Sequence, residues 1–306
     1  MAEITASLVK QLREKTGAGM MDCKKALTET GGDIEEASDW LRKSGLLKAA
    51  KKASRVAAEG LIGIAVGEHT GVLVEVNAET DFVARNDEFK GFVKSAAELA
   101  LTEGCTVEAL LEKNLGDKTV QLTLSELIAK IGENMSVRRV AAVSVNPGVV
   151  AAYVHNAASP ELGKIGVLVG VKSEGDHDKL IKFGKQVAMH IAATAPLALS
   201  VDHLAKETVE HEREIQRELA RQSGKPENVI EKMLEGRMRK YYEEVVLLEQ
   251  TFVIDQEKTV KKAVEAFAAE LGTPVELVGF LRFQVGEGIE KVTDDFAGEV
   301  AKMAGH

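Results

Sequence analysis

The sequence GVLVEV at residues 71–76 recurs as GVLVGV at residues 166–171, and this repetition decides the fold. Aliphatic and β-branched residues of this kind are typical of a buried or half-buried strand. Each copy is preceded by another predicted strand, near Leu61 to Val66 and Val149 to Val154. A helix follows each copy, with the shared pattern Phe92, Lys94, Ala97 and Phe183, Lys185, Ala188. We therefore predict an α+β fold whose core contains two copies of one sheet-and-helix unit.

The first copy carries four more residues than the second between strand and helix. From the strand glycine to the matched phenylalanine it spans 92 − 71 = 21 residues, against 183 − 166 = 17 in the second copy. The surplus lies at Thr80, Asp81, Phe82 and Val83. Function concentrates in loops that a rigid scaffold holds, so this loop is a candidate contact with another molecule. The residues alone leave open that Phe82 and Val83 instead fold back into their own core.

The first fifty or so residues read as a compact module of three helices. Apolar residues at helical spacing run up to Thr16, the break at residues 17–19 follows, and a second helix begins near Met20 or Met21. Adjacent residues at a helix start cannot both face the core, so at least one methionine should be available to a partner; the alternative is that both fill gaps in a small core. Asp33 is predicted to cap the third helix and Ser44-Gly45 to end it.

A highly charged segment from Leu204 to Gln222 and a helix from near Glu227 predict an antiparallel helical hairpin that projects from the body. A final strand at residues 278–283 and a short helix from about Asp294 to Met303 follow. The expected domains are 1–55, a helical module with a basic linker; 56–145, the first core subdomain; 146–200 with 246–288, the second; 201–245, the hairpin; and 289–306, a C-terminal module.

Composition excludes several classes of protein. The chain has 306 residues, of which 45% are hydrophobic and 28% charged, as in an ordinary globular protein. A formal net charge of −9 argues against a general nucleic-acid binder, which needs a basic surface. No stretch is apolar for long enough to span a bilayer, and the N-terminus lacks the features of a secretory signal. We expect a cytoplasmic protein that binds neither nucleic acid nor membranes directly.

Neither a metal site nor an enzyme active site is indicated. Cys23 and Cys105 lie far apart without a CxxC motif, and the seven histidines are scattered rather than grouped with carboxylates. Phosphate-loop, dinucleotide-binding and HExxH motifs are all missing from the sequence. We expect no cofactor, no metal and no enzymatic activity.

Two longer motifs carry a family resemblance. One is EVNAETDFVAR at residues 75–85, and the other is LR at 12–13 followed by TGAGMMDCKKAL at 16–27. Together they resemble bacterial translation elongation factor Ts, the nucleotide-exchange factor for the GTPase elongation factor Tu, and the similarity extends over essentially the whole chain. The resemblance implies that the N-terminal module has a small ubiquitin-associated-like fold and docks on the GTPase domain of that partner.

The resemblance also implies roles for individual residues. Asp81 and Phe82, within the loop Thr80 to Val83, would insert beside the switch helices of the partner and displace its magnesium environment. The other partner-binding residues that it implies are Leu12, Met20, Met21 and His155. His155 is expected at a strand end before a long turn, residues 156–164, which is longer than the compact turn expected there.

Some alternatives stay open. The hairpin would make dimer contacts in some members of the family and partner contacts in others, so a homodimer or heterotetramer is possible. The C-terminal helix would pack on the partner or on its own body. A different function, that of a non-catalytic ribosome- or RNA-associated assembly protein, would use the hairpin and the basic linker from Lys48 to Arg55. The acidic net charge disfavours that function.

Overall fold

The computed structural model describes residues 4–103, 106–222, 224 and 226–290. The N-terminal module consists of helices α1 (Ala6–Thr16), α2 (Met20–Glu29) and α3 (Ile34–Lys52). Gly17 ends α1 in the left-handed conformation that glycine adopts without strain. The side chain of Asp33 accepts a hydrogen bond from the backbone N–H of Glu36 and so caps α3, as predicted.

The predicted end of α3 at Ser44-Gly45 is wrong. The helix continues for two more turns to Lys52, because Gly45 is buried against a neighbouring helix and serves close packing there. A Cβ at Gly45 would lie 3.4 Å from the Cβ of Ala129. The basic segment that followed the predicted stop is therefore mostly the last part of α3, and not a linker.

The first core unit begins with an antiparallel strand pair and a helix that covers it. Its elements are β1 (Glu59–Val66), β2 (Thr70–Ala78), α4 (Asp87–Glu103), α5 (Val107–Glu112), β3 (Asn114–Leu115), β4 (Lys118–Thr119), α6 (Val120–Ile131) and β5 (Met135–Ser144). β2 pairs with β1 on one side and with β5 on the other, so it is the central strand of the unit.

The second core unit repeats this plan. Its elements are β6 (Gly148–Ser159), β7 (Leu162–Lys172), α7 (His177–Thr194), α8 (Lys206–Arg221), α9 (Glu227–Val245), β8 (Thr251–Phe252), β9 (Asp255–Thr259), α10 (Val260–Leu271) and β10 (Glu276–Gln284). β7 is the central strand between β6 and β10. The helices α8 and α9 occupy the place that α5 has in the first unit.

The repeat is longer than the strand-and-helix pattern that the sequence predicts. In both units a two-stranded ribbon leads into a helix and then into the third strand of the sheet, as β3-β4-α6-β5 and β8-β9-α10-β10. Both helices begin with a threonine cap followed by valine, at Thr119-Val120 and Thr259-Val260. The two segments also share a lysine before the cap, Lys118 and Lys258, and a glycine that ends the helix, Gly132 and Gly272. These identities are the sequence signal of the longer repeat, and the strand-and-helix comparison did not use them.

The two units join into one six-stranded sheet system. β1 pairs with the start of β7 at Ile62–Gly163 and Gly63–Leu162. Helices α4, α5 and α6 cover one face of the first unit, and α7 and α10 cover one face of the second. The remaining faces meet in a third cluster that includes Ile62, Leu73 and Leu168. The core therefore has helices outside and two strand layers inside.

The turn between β6 and β7 corrects a second prediction. The expected long turn at residues 156–164 is absent, because β6 extends to Ser159 and β7 starts at Leu162. Only Pro160 and Glu161 connect the two strands. The predicted C-terminal helix, from about Asp294 to Met303, lies outside the described residues.

The charged helices α8 and α9 contact each other along their length. Gln216 accepts a hydrogen bond from Arg237 at 3.0 Å, and Arg221, later in α8, lies 3.5 Å from Glu227 at the start of α9. Later residues of α8 thus meet earlier residues of α9, which is the arrangement of antiparallel neighbours. In the described part of the chain, no helix is long and apolar enough to cross a membrane.

Candidate partner-binding site

The candidate site is the loop of residues 79–86 between β2 and α4. It has eight residues, whereas the matching connection between β7 and α7, residues 173–176, has four. The four-residue surplus inferred from the sequence therefore lies in this loop. In both units the last loop residue caps the following helix: the Asn86 carboxamide accepts hydrogen bonds from Glu88 and Phe89, and the Asp176 carboxylate accepts one from Lys179.

The C-terminal half of the loop is fixed by its own core. Val83 and Ala84 are buried in the cluster between the first sheet and its helices. Residues Val83–Arg85 form one turn of 3-10 helix, closed by a hydrogen bond from the Arg85 N–H to the Phe82 carbonyl at 3.1 Å. Val83 belongs to the loop that the resemblance assigns to magnesium displacement, and its side chain packs into the core beneath that loop.

Phe82 and Asp81 point away from this core. The Phe82 side chain is 74% exposed, and Asp81 is exposed beside it. The guanidinium of Arg85 lies 6.0 Å from the centre of the Phe82 ring and 3.4 Å from the Asp81 carboxylate. Of the two alternatives left open by the sequence, folding back applies to Val83 and exposure applies to Phe82. The exposed ring therefore stands on a loop whose backbone is fixed by the buried residues that follow it.

The N-terminal half of the loop is fixed by residues that the sequence did not single out. The Glu133 carboxylate accepts hydrogen bonds from the Thr80 N–H at 2.9 Å and from the Thr80 hydroxyl at 2.8 Å. The Glu79 carboxylate accepts one from the Asn134 N–H at 2.5 Å. Since 53 residues separate Thr80 from Glu133, no local pattern could have indicated this pairing.

The N-terminal module offers a second exposed surface. Met20 and Met21 are 60% and 76% exposed at the start of α2. Leu12 was expected to contact the partner, but it is fully buried in the small core of the module, together with Cys23 and Leu27. Its role in the described structure is therefore to hold the helices together. Burial is the main cause that raises the pKa of the Cys23 thiol.

His155 lies in the second unit, well inside β6 rather than at a strand end, and its side chain is exposed. Its Nδ1 is 3.2 Å from the Tyr153 hydroxyl. Within the described residues, no hydrogen bond or ion pair joins His155 to the loop. The loop and the N-terminal module are connected more directly, because Lys52 at the end of α3 donates a hydrogen bond to the carbonyl of Gly132, next to Glu133.

A buried carboxylate lies on the strand that leads to the loop. Glu75 is fully buried and accepts hydrogen bonds from the Arg139 side chain at 2.5 Å, the Gly286 N–H at 2.8 Å and the Asn77 side chain at 2.9 Å. Burial alone would raise the pKa of Glu75, but the hydrogen bonds from Gly286, Asn77 and Arg139 outweigh it and lower that pKa. The sequence pattern of the strand gave no sign of this cluster.

The second unit contains a buried histidine, His190, whose ring is held by hydrogen bonds within the unit. His190 Nδ1 accepts a hydrogen bond from the Val253 N–H at 3.2 Å, and Nε2 lies 2.8 Å from the Gln250 side-chain oxygen. Burial is the main cause that lowers the pKa of His190, so the neutral ring is favoured. Among the described residues, no group of three or more His, Cys, Asp or Glu side chains could hold a metal ion.

These features define an α+β protein in which a three-helix module precedes a core of two repeated units, with exposed apolar side chains on a fixed loop and at a helix start. Comparison with known proteins identifies the family. The family model described as elongation factor TS matches residues 79–287. Elongation factor Ts of Paramagnetospirillum magneticum is 61% identical, covering 100% of this chain and 98% of the relative. Elongation factor Ts of Rhodospirillum centenum is 58% identical, with 100% of both chains covered. The chain belongs to the elongation factor Ts family and is a translation elongation factor of protein biosynthesis.

Proposed function

We propose that this protein is a guanine-nucleotide exchange factor, which binds elongation factor Tu in its GDP-bound form and promotes GDP release by disturbing the magnesium and phosphate site. The observation that carries the proposal is the exposure of Phe82 beside Asp81 on a loop fixed at both ends. The proposed exchange breaks no covalent bond and needs no cofactor.

The energetics of Phe82 favour insertion into a partner. The ring is exposed in the free protein, so its burial at an interface would contribute about 2 kcal/mol. Ordering a flexible loop costs about 1–2 kcal/mol per residue, and a backbone that is already fixed avoids most of that cost. The burial energy of Phe82 is then available to distort the partner.

The mechanism follows from differential affinity. A GTPase holds its nucleotide through phosphate contacts and a magnesium ion, so a loop that deforms this environment lowers the affinity for the nucleotide. Linkage requires that the nucleotide lowers the affinity for the factor by the same ratio. A thousandfold acceleration of GDP release requires the activation free energy of release to fall by about 4 kcal/mol. Burial of Phe82 supplies about half of this, and Asp81 would supply the rest by disturbing charge and hydrogen bonding near the ion.

Other surfaces would give the complex its affinity. Met20 and Met21 would dock the N-terminal module on the GTPase domain, because methionine adapts to irregular apolar contacts. His155 would contact the partner from the exposed face of the second unit. On α8, the exposed Ile215 and Leu219 are candidates for contact with a second copy of the chain or with the partner, which would give a homodimer or a heterotetramer.

The basic segment from Lys48 to Arg55 gives little support to the alternative function as an RNA-associated assembly protein. Lys48 lies 2.8 Å from Asp22, Lys52 donates to the Gly132 carbonyl, and Arg55 lies 3.5 Å from Glu79. These side chains already have partners within the chain. With these three side chains engaged, the segment offers fewer free cations to a phosphate backbone.

Stopped-flow release of labelled GDP from elongation factor Tu tests the proposed function. We expect Phe82→Ala to slow the accelerated release about thirtyfold, because about 2 kcal/mol of burial is lost. Asp81→Ala should slow it further in the double variant. Leu197→Ala is the matched control, since Leu197 is 64% exposed on a loop of the second unit and should leave the rate unchanged. Wild-type acceleration by the double variant would refute the proposal.

A further inference from the structure

Two short segments, residues 79–80 and 133–134, hold each other through reciprocal contacts. Glu133 supplies its carboxylate to the Thr80 N–H, and Glu79 supplies its carboxylate to the Asn134 N–H. Each segment thus satisfies a backbone donor of the other with a charged acceptor, which is a strong form of hydrogen bond. The Thr80 hydroxyl adds a second bond to Glu133, so that both carboxylate oxygens are engaged by one residue.

Glu133 is itself held in place. Gly132 ends α6 in the left-handed conformation, at φ 91°, and turns the chain back toward the loop. On one side of Glu133, Lys52 donates to the Gly132 carbonyl. On the other side, the nearly buried Asn134 side chain donates to the Arg55 carbonyl at 2.7 Å. Residues 132–134 are therefore fixed to the end of the N-terminal module, which makes Glu133 a firm support for Thr80.

We infer that Glu133 is a positioning residue for nucleotide exchange, which sets the direction in which Asp81 and Phe82 leave the sheet. The inference rests on the proposed function and deepens it. Thr80 immediately precedes the exposed pair, while Val83 and Ala84 fix the other side. With Glu133 in place, the loop presents the exposed pair in one orientation. Without it, the first half of the loop keeps only the contact of Glu79 and explores other orientations.

A positioning role and a binding role differ in their kinetic effect. A loop in the wrong orientation slows GDP release even when every partner molecule is bound. The reason is that misplaced Asp81 and Phe82 side chains no longer stabilise the distorted nucleotide site. When a lost contact contributed only to affinity, its effect on the release rate disappears at saturating concentrations of the factor. Two quantities distinguish these roles: the rate of GDP release at saturating factor, and the factor concentration that gives half of that rate. A positioning role changes the first, and a binding role changes the second.

The experiment measures GDP release from elongation factor Tu over a range of concentrations of the full-length factor. We expect Glu133→Ala to lower the saturating rate on the order of tenfold, with little change in the half-saturating concentration. Glu133→Gln keeps one oxygen acceptor and should fall between wild type and Glu133→Ala. Thr80→Val keeps the N–H and loses only the hydroxyl, so its decrease should be smaller, and it should add little to Glu133→Ala.

Glu126→Ala is the matched control. Glu126 is on α6 and both of its carboxylate oxygens accept hydrogen bonds from Lys118. Among the described residues it makes no hydrogen bond or ion pair with the loop, so its removal should leave the saturating rate unchanged. Hydrogen exchange of the Thr80 amide supplies a second readout, since Glu133→Ala should speed it at least on the order of tenfold. If Glu133→Ala does not fold, the saturating rate of GDP release and the hydrogen exchange of the amide at position 80 are measured on Glu133→Gln and Thr80→Val instead.

The outcomes separate the two proposals. A wild-type saturating rate in Glu133→Ala, when Phe82→Ala is slow, would overturn the positioning role and leave the proposed function intact. A wild-type factor that fails to accelerate GDP release would overturn both. Unchanged exchange of the Thr80 amide in Glu133→Ala would overturn the positioning role whatever the kinetics show.

Discussion

Glu75 is a fully buried carboxylate that connects three separate parts of the chain. It joins β2, on which it lies, to Arg138 and Arg139 on β5 and to the backbone of Gly286 after β10. Arg139 continues the network by donating to the Gln284 carbonyl at 3.0 Å. A buried charge costs much desolvation energy unless its partners are complete, so the loss of any one partner is expensive.

The pKa of Glu75 predicts how stability depends on pH. Its pKa is lowered from the ordinary 4.5, so the folded state favours the ionised form. The resulting stability is complete well above pH 4.5 and is lost as the pH falls through the lower folded pKa. We expect Glu75→Gln to lower the free energy of unfolding, measured in urea at pH 7, by about 3 kcal/mol. As the pH falls below 4.5, this variant should lose less of its stability than wild type does. Glu68→Gln, at an exposed carboxylate, is the control; equal pH profiles for Glu75→Gln and wild type would contradict the prediction.

At the scale of elements, the two central strands approach each other at their repeated glycines. A Cβ on Gly71 of β2 would lie 2.8 Å from Val150 and 3.0 Å from Leu168 of the second unit. A Cβ on Gly166 of β7 would lie 2.6 Å from Ile62 and 3.2 Å from Leu73 of the first unit. The leucine of each repeat thus packs over the glycine of the other, which explains why the motif begins with glycine in both copies.

This packing predicts the effect of a single methyl group. Gly166→Ala should lower the free energy of unfolding by about 1–3 kcal/mol, because the Cβ overpacks the contact between the strand layers. Gly279→Ala on β10 is the matched control, since within the described chain no atom beyond the adjacent residues lies within 4 Å of its Cβ position, and it should leave stability unchanged or slightly higher. Urea unfolding of both variants checks the prediction, and equal stability of the two would count against close packing at Gly166.

The sequence predicted elements whose signals are local, and it failed where distant contacts decide. Both strand pairs follow from short runs of aliphatic and β-branched residues, and the helices after them follow from helical spacing. Ser44-Gly45 looked like a helix end, but Gly45 packs against Ala129 and α3 continues. The exposed pair Asp81 and Phe82 could be singled out by comparing repeat lengths. Glu133, which holds the same loop, could not, because only the folded chain brings it to Thr80.

At the scale of the whole molecule, α8 and α9 lie outside the three buried clusters of the sheet core. The helices meet the body at a small separate cluster, where Val209 and Tyr241 pack against Ala198, Leu204 and Val246. Helices attached in this way can change their contacts without disturbing the loop in the first unit.

This independence predicts the outcome of shortening the hairpin. Replacing residues 211–240 by a short Gly-Ser turn keeps Val209 and Tyr241, so the remaining chain should unfold in one cooperative transition within about 5 °C of wild type. The saturating rate of GDP release should be retained, because the loop lies in the other unit. If α8 joins two copies through Ile215 and Leu219, the mass in sedimentation should fall to that of one chain. Loss of the cooperative transition would instead show that the core depends on the two helices.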